Sequence, residues 1–360
     1  MRYGYFMMPM HPPGSDPAET LELDLRQVER LDELGFEEAW IGEHFTGEWE
    51  NIPAPDLFIA AALQRTRRIR LGTGVTCLPN HNPFQLAHRI AQLDQMARGR
   101  FVWGVGSGGF PGDFKVAGID PKTGLQRQVT VDAVDTVLDL WNQPKPGTYQ
   151  GHGWTFSVPE PNPRIAQHVH LKPYQKPHPP IAVAGVTETS DTLRLAGQRG
   201  WIPMSINLVA PRVLKTHWDS VAAGATEGGR VAERSAWRIA RNIHVAETDA
   251  QARQEAQDGA LGRDYMDYFL PLLALGRGVG GLKVDPAMPD EGLTREYLCD
   301  NVWIVGSPDT VATKLRALYD YVGGFGSIMP VAADWPDERV WDRSMTLLAM
   351  EVMPKLADLA

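Results

Sequence analysis

The 360-residue chain has only 2 cysteines, Cys77 and Cys299. Two cannot make a disulfide framework, and neither lies in a CxxC or Cys/His spacing of the kind that binds zinc. The expected setting is therefore reducing and cytoplasmic. Positive charge is also scarce: 35 Lys and Arg against 44 Asp and Glu leave a net charge of −9. Such a balance repels phosphate backbones and anionic lipid surfaces, so neither nucleic acid nor membrane is an expected partner. No apolar run approaches the ~20 residues that span a bilayer. The opening MRYGYFMMPM runs at once into HPPGSDP, lacks the long apolar region of a signal peptide, and reads as a first core strand.

What the chain has instead is rhythm. With 43% hydrophobic residues it can bury a large core, and short apolar runs alternate with segments of helical period, the signature of repeated βα units and a parallel sheet. Strands are expected at 2–8, 36–45, 69–79, 99–108, 180–189, 201–207, 237–246 and 325–331. Helices are expected at 17–34, 54–66, 83–97, 126–142, after 190 to Arg199, 211–224, from Thr248, from Ser307 and at 337–358. Eight such strands favour a single (β/α)8 TIM barrel over residues 1–360. Two stretches break the rhythm. Residues 144–179, rich in proline and histidine, read as an excursion before strand five, and the glycine- and proline-rich 274–300 as a lid-like insertion after strand seven.

In a barrel of this kind the site lies where strands end and βα loops begin. Four such places carry unusual residues. Glu43 and His44 end strand two, where a histidine can exchange protons near neutral pH and the adjacent carboxylate can orient it; a structural strand-end histidine is the plainer reading. The run Gly72–Cys77 places Thr73, Gly74, Val75 and Thr76 in an otherwise aliphatic strand. Glycine there suits either a flat ligand pressed on the backbone or close packing of a neighbour. At 104–112, GVGSGGFPG supplies Gly106 and Ser107, a glycine pattern too weak alone to mark a nucleotide loop. Finally, AGVTETSDT places Gly185, Thr187, Thr189 and Ser190 before a helix. With the loop arginine Arg127 they form a candidate phosphate cradle, the competing reading being an ordinary helix N-cap.

The run LGTGVTCLPNHNPFQLAHRIAQLDQMARGRFVWGVGSGGFPGDFKVAG resembles the core of the bacterial luciferase-like flavin-dependent monooxygenases. EEAWIGEHF, IAVAGVTETSDTLRLAGQRG and the closing EVMPKL are similar to the same family in the same order, and WENIPAPDLFIAAALQ resembles its limonene and diketocamphane monooxygenase branch. The resemblance implies a two-component enzyme. Reduced FMN comes from a separate flavin reductase, O2 is captured as a C4a-(hydro)peroxyflavin, and a small apolar organic substrate (ketone, alkene or aldehyde) is oxygenated. It also implies His44 as the catalytic histidine, a non-prolyl cis peptide at Gly74–Val75 against the flavin, the phosphate held by Gly185, Thr187, Thr189 and Ser190, and a homodimer. One departure stands out: luciferase subunits carry an arginine just after the strand-four glycines, where this chain has Ser107. Arg127 or another cation would take its place, and light emission is not implied.

A peroxyflavin needs a dry cavity, which Trp40, Trp103, Phe110, Trp201, Met204 and Met329 are placed to line. Three other readings remain open: a deazaflavin-dependent oxidoreductase on the same fold, a metal-dependent barrel hydrolase suggested by His168, His170 and His178, and a non-catalytic flavin-binding subunit.

Overall fold

The computed structural model describes residues 1–276 and 278–359. Eight parallel strands close into a barrel: β1 (Arg2–Met7), β2 (Glu38–Ile41), β3 (Arg70–Thr73), β4 (Phe101–Gly106), β5 (Ile181–Gly185), β6 (Ile202–Ser205), β7 (Arg238–Arg241) and β8 (Ser327–Pro330). Pairing of Leu71 with Phe101 joins β3 to β4, and pairing of Arg2 with Ser327 joins β1 to β8, so no edge is left in the ring. The expected (β/α)8 barrel is the observed fold.

Side-chain alternation sorts the strand residues into two layers. Phe6, Trp40, Val102, Ala182, Met204, Ala240 and Met329, one from each of seven strands, form a cluster inside the barrel. The eighth strand contributes Gly72, where an added Cβ would come within 2.6 Å of the Trp40 ring. The alternate residues, Leu71, Trp103, Val183 and Ile239 among them, face the outer helices. Trp103 thus packs outward on Trp141, with ring centroids 5.3 Å apart, and is not a cavity residue as expected; its neighbours Val102 and Gly104 take the inward positions.

Helices begin where sequence chemistry starts them. In α1 (Pro17–Leu34) the Asp16 carboxylate accepts from the Ala18 and Glu19 amides, and Gly35 ends the helix in the left-handed region. Asn82 does the same for α2 (Pro83–Ala97), accepting from the Phe84 and Gln85 amides. Further round the barrel lie α3 (Leu125–Asn142), α4 (Asp191–Arg199) and α5 (Pro211–Glu227).

The excursion at 144–179 contains an antiparallel hairpin, Gly147–Gly151 with Trp154–Val158, whose Phe156 packs on Phe84. The expected seventh strand divides: Arg238–Arg241 stays in the barrel, while Ile243–Val245 leaves it to pair with Ile304–Gly306. In 274–300, Arg277 lies outside the described residues. Around it, Arg212 donates to the carbonyls of Gly280 and Lys283, and the Ala210 amide to that of Gly281, docking this segment on the loop after β6.

Candidate active site

Because all eight strands run the same way, the residues just beyond their C-terminal ends share one rim. His44 stands there, three residues past Ile41, in a loop closed by its own amide donating to the Ile52 carbonyl. Its ring is clamped. Nδ1 lies 3.3 Å from Asp113 Oδ2, and Nε2 lies 3.3 Å from Glu50 Oε2. Asp113 also accepts from the amides of Phe45 and Thr46 and from the Thr46 hydroxyl at 2.6 Å. Glu50 is buried, and its Oε1 accepts from the Tyr268 hydroxyl at 2.6 Å. Phe110 closes one side of the imidazole, with centroids 5.5 Å apart.

Burial alone would pull the His44 pKa down; the negative charges of Glu50, Asp113 and Glu43 outweigh it and leave the pKa raised above 6.5. Asp113 is held below the usual carboxylate range: its burial acts upward, but His44 and Thr46 prevail. His44 opens on a cavity of about 380 Å³ that His11, Ser15, Thr46, Glu48 and Asn51 help to line.

Glu43 does not touch His44. Its carboxylate is buried and meets His81 Nε2 at 2.9 and 3.0 Å. The orienting role expected of this sequence neighbour therefore falls to Glu50 and Asp113, because successive residues past a strand end point in different directions. Cys77 packs beneath, its Sγ 3.7 Å from the Glu43 carbonyl, and burial pushes the thiol well above its ordinary pKa.

Beside this histidine lies a floor of small residues. Gly74–Val75 is a cis peptide between residues that are not proline, and it separates β3 from the short Thr76–Cys77 strand. Added Cβ atoms at Gly104 and Gly106 would meet the Thr73 carbonyl oxygen at 1.8 Å and Val75 Cγ2 at 2.5 Å, so β4 must carry glycine for this segment to lie where it does. Packing therefore accounts for these glycines. The Thr73 hydroxyl donates to the Gly104 carbonyl, but the buried Thr76 hydroxyl has no partner among the described residues. It is one of several buried polar side-chain atoms without a partner among the described residues, the Tyr3 and Ser327 hydroxyls included.

The expected phosphate cradle is partly occupied by its own contacts. Ser190 caps α4, its Oγ accepting from the Leu193 amide at 3.3 Å, and the Thr187 hydroxyl donates to the Thr189 carbonyl. Gly185 leaves room for this turn, since a Cβ there would lie 2.7 Å from Ser190 Oγ. Behind it, His217 bridges Ser205 Oγ and the Thr187 carbonyl, each at 2.9 Å, and burial holds its pKa down at about 4. The Arg127 guanidinium reaches Asp191 at 2.6 Å on the surface, and Ser107 accepts from the Thr130 hydroxyl. Gly106, Ser107, Arg127 and Thr192 line a second cavity of about 290 Å³.

Of the expected lining, Trp40, Met204 and Met329 lie within the barrel and Phe110 on His44, whereas Trp201 sits outside beneath Arg199, 5.4 Å away. The His170 Nδ1 turns to the His168 carbonyl, and His178 Nδ1 to that of Pro179.

The carboxylate-clamped histidine and the glycine-supported floor thus lie on the strand-end rim of a closed parallel barrel, where such barrels carry their active sites. Luciferase-like monooxygenases as a family match residues 1–324. The 4-hydroxyprotoasukamycin monooxygenase of Streptomyces nodosus subsp. asukaensis is 36% identical over 359 residues, which cover 98% of this chain and 91% of that protein. Limonene 1,2-monooxygenase of Rhodococcus erythropolis is 34% identical, covering 98% and 86%. The solved structure of the oxygenating constituent of 3,6-diketocamphane monooxygenase from Pseudomonas putida, a type II Baeyer–Villiger monooxygenase in complex with FMN, superposes with a TM-score of 0.90 at 30% identity, over 99% of this chain and 98% of that one. The chain belongs to the luciferase-like monooxygenase family and is an enzyme of that oxidoreductase class.

Proposed function

We propose that the protein is the oxygenase of a two-component system: it binds reduced FMN delivered by a separate reductase and inserts one atom of O2 into a small organic substrate. The carboxylate-clamped His44 on the same strand-end rim as the Gly74–Thr76 segment carries the reading. The Thr76 hydroxyl, buried there without a partner, would gain one from a polar ring edge once its side chain turns toward the rim. Gly74, Val75 and Thr76 would support the isoalloxazine, and the amides and hydroxyls of 187–190, with Arg127, would receive the phosphate. A relative's solved structure in complex with FMN supports a flavin as the ligand.

Bound and reduced, the flavin supplies the two electrons that activate dioxygen. The chain does the rest. Trp40, Met204, Met329 and Ala240 seal the barrel beneath the floor and keep water from entering through its axis. His44, pinned by two carboxylates, holds a proton at the cavity edge. The substrate would enter beside Phe110 and His44, where the cavity opens. Apolar ketones and alkenes remain the proposed substrates, on the names of the relatives that oxidise limonene and diketocamphane.

The test is oxygen transfer with 18O2, chemically reduced FMN and a panel of apolar ketones and alkenes. One labelled oxygen per product is expected, falling about 100-fold or more in His44→Ala. Hydride transfer from an alcohol to a deazaflavin, with no label incorporated, would establish the deazaflavin reading instead.

A further inference from the structure

The two nitrogens of His44 are treated differently by their carboxylates. Nδ1 makes a hydrogen bond to Asp113, whose oxygens already accept from two backbone amides and the Thr46 hydroxyl. A carboxylate surrounded by that many donors is ionised, so Nδ1 carries a proton. Nε2 is 3.3 Å from Glu50 Oε2, yet the alignment makes no hydrogen bond, and Oε2 has no hydrogen-bond partner among the described residues.

Were the ring neutral, the Nε2 lone pair would face the lone pairs of a buried carboxylate at that distance. With Nε2 protonated the same contact becomes an attraction. The misalignment then leaves the Nε2–H bond pointing away from Glu50, and 18% of the side chain remains open on the side of the 380 Å³ cavity.

We propose that His44 is held as a fixed imidazolium whose Nε2–H is the proton donor of the cavity, with Glu50 and Asp113 as the positioning residues that keep it charged and Tyr268 as the anchor of Glu50. The assignment of that donor to oxygen transfer rests on the flavin-dependent reading above; the charge state does not.

The charged groups that act most strongly on the ring come from three places in the fold. Glu50 comes from the loop after β2, Asp113 from the short helix Pro111–Val116, and Glu43, already paired with His81, from the end of β2. Tyr268 approaches from the π-helical turn Tyr265–Phe269; its phenol is kept neutral by burial and by the charge of Glu50. The Cys77 thiol, near the same three carboxylates, is kept neutral by burial first and by their charge second. Three carboxylates thus act on His44; Glu43 also meets His81, and His11 lines the same cavity, held between Asp24 and Asp334. The direction agrees with the raised pKa of the ring.

The test is nitrogen-15 NMR of the histidine rings in the flavin-free protein, with His44 assigned by comparison with His44→Gln. Both ring nitrogens of His44 should be protonated at neutral pH, with a midpoint above the free-histidine value of about 6.5. Glu50→Gln and Asp113→Asn should each lower that midpoint by about one pH unit, a tenfold loss of proton affinity. Should either variant fail to fold, Tyr268→Phe, which removes one hydroxyl, should broaden or shift the His44 signals while leaving those of His217 unchanged. A neutral ring at pH 7 in the unsubstituted protein, or a midpoint indifferent to all three substitutions, would overturn the assignment. Because no flavin is present, failure of FMN to bind would leave this result standing, and a neutral His44 would leave FMN binding untouched.

Discussion

At the scale of single residues the proposed site rests on the groups that touch His44, with Thr76 adding a buried hydroxyl without a partner among the described residues. In the proposed site Thr76 would serve the ligand at a cost to folding: buried without a partner, its Oγ1 is desolvated with no return in the free protein. Thr76→Val replaces it with an apolar group of the same shape, which should leave stability unchanged or raise it by about 1 kcal/mol. FMN affinity should fall, by about tenfold for one lost hydrogen bond. Urea unfolding and a flavin fluorescence titration on the same two proteins read both. Destabilisation with unchanged affinity would remove Thr76 from the floor. The sequence shows His44 and the glycine-threonine run openly, since they interrupt aliphatic strands. Glu50 and Asp113 are not legible in it. Asp113 lies 69 residues from His44, in a short helix whose composition resembles any solvated turn, and only closure of the barrel brings the two together.

Among the elements, the α4–α5 pair shows how backbone contact holds the C-terminal end of β5, where the phosphate is proposed to bind. The two helices meet without side chains between them. A Cβ at Gly197 would lie 2.0 Å from the Val221 carbonyl oxygen, and one at Gly224 would lie 1.8 Å from that of Arg194. In an isolated helix Gly→Ala gains about 1 kcal/mol. Here Gly224→Ala must push the helices apart, and a net loss of about 1–3 kcal/mol is expected. As α4 begins at Ser190, the same change should also weaken FMN binding. Thermal unfolding with and without FMN measures both effects, and a variant as stable as the parent would show that the helices can separate freely. Most barrel helices were readable from their periodicity and from caps such as Asp16 and Asn82. The divided seventh strand was not. Residues 237–246 read as one strand in which Arg238, Arg241, Asn242 and His244 are interspersed with apolar residues, and no glycine or proline marks the point at which Ile243–Val245 abandons the barrel for Ile304–Gly306.

For the whole molecule, the first and last strands must stay joined at the rim that carries the site. His11, just past β1, ties them: Nε2 is 3.2 Å from Asp24 in α1 and Nδ1 is 3.0 Å from Asp334 beyond β8. Burial lowers the pKa of His11, but the two carboxylates outweigh it and raise it to about 9. A folded-state pKa above the unfolded value means that the contribution is complete below about 6.5 and is lost as pH rises through about 9. Stability should therefore decline between pH 7 and 9.5, by on the order of 3 kcal/mol from this group. His11→Gln should flatten that part of the profile. A variant with the same slope as the parent would place the pH dependence elsewhere.

The central claim is that one rim of the barrel holds a flavin between His44 and the 185–190 turn, on the floor made by Gly74, Val75 and Thr76. A crystal structure of the protein soaked with FMN measures this most directly. The account predicts ring density over Gly74–Thr76 with the Thr76 hydroxyl at its polar edge, and phosphate density at the start of α4 within reach of Arg127. Flavin density at the opposite end of the barrel, or none at the rim under conditions that saturate binding in solution, would contradict it.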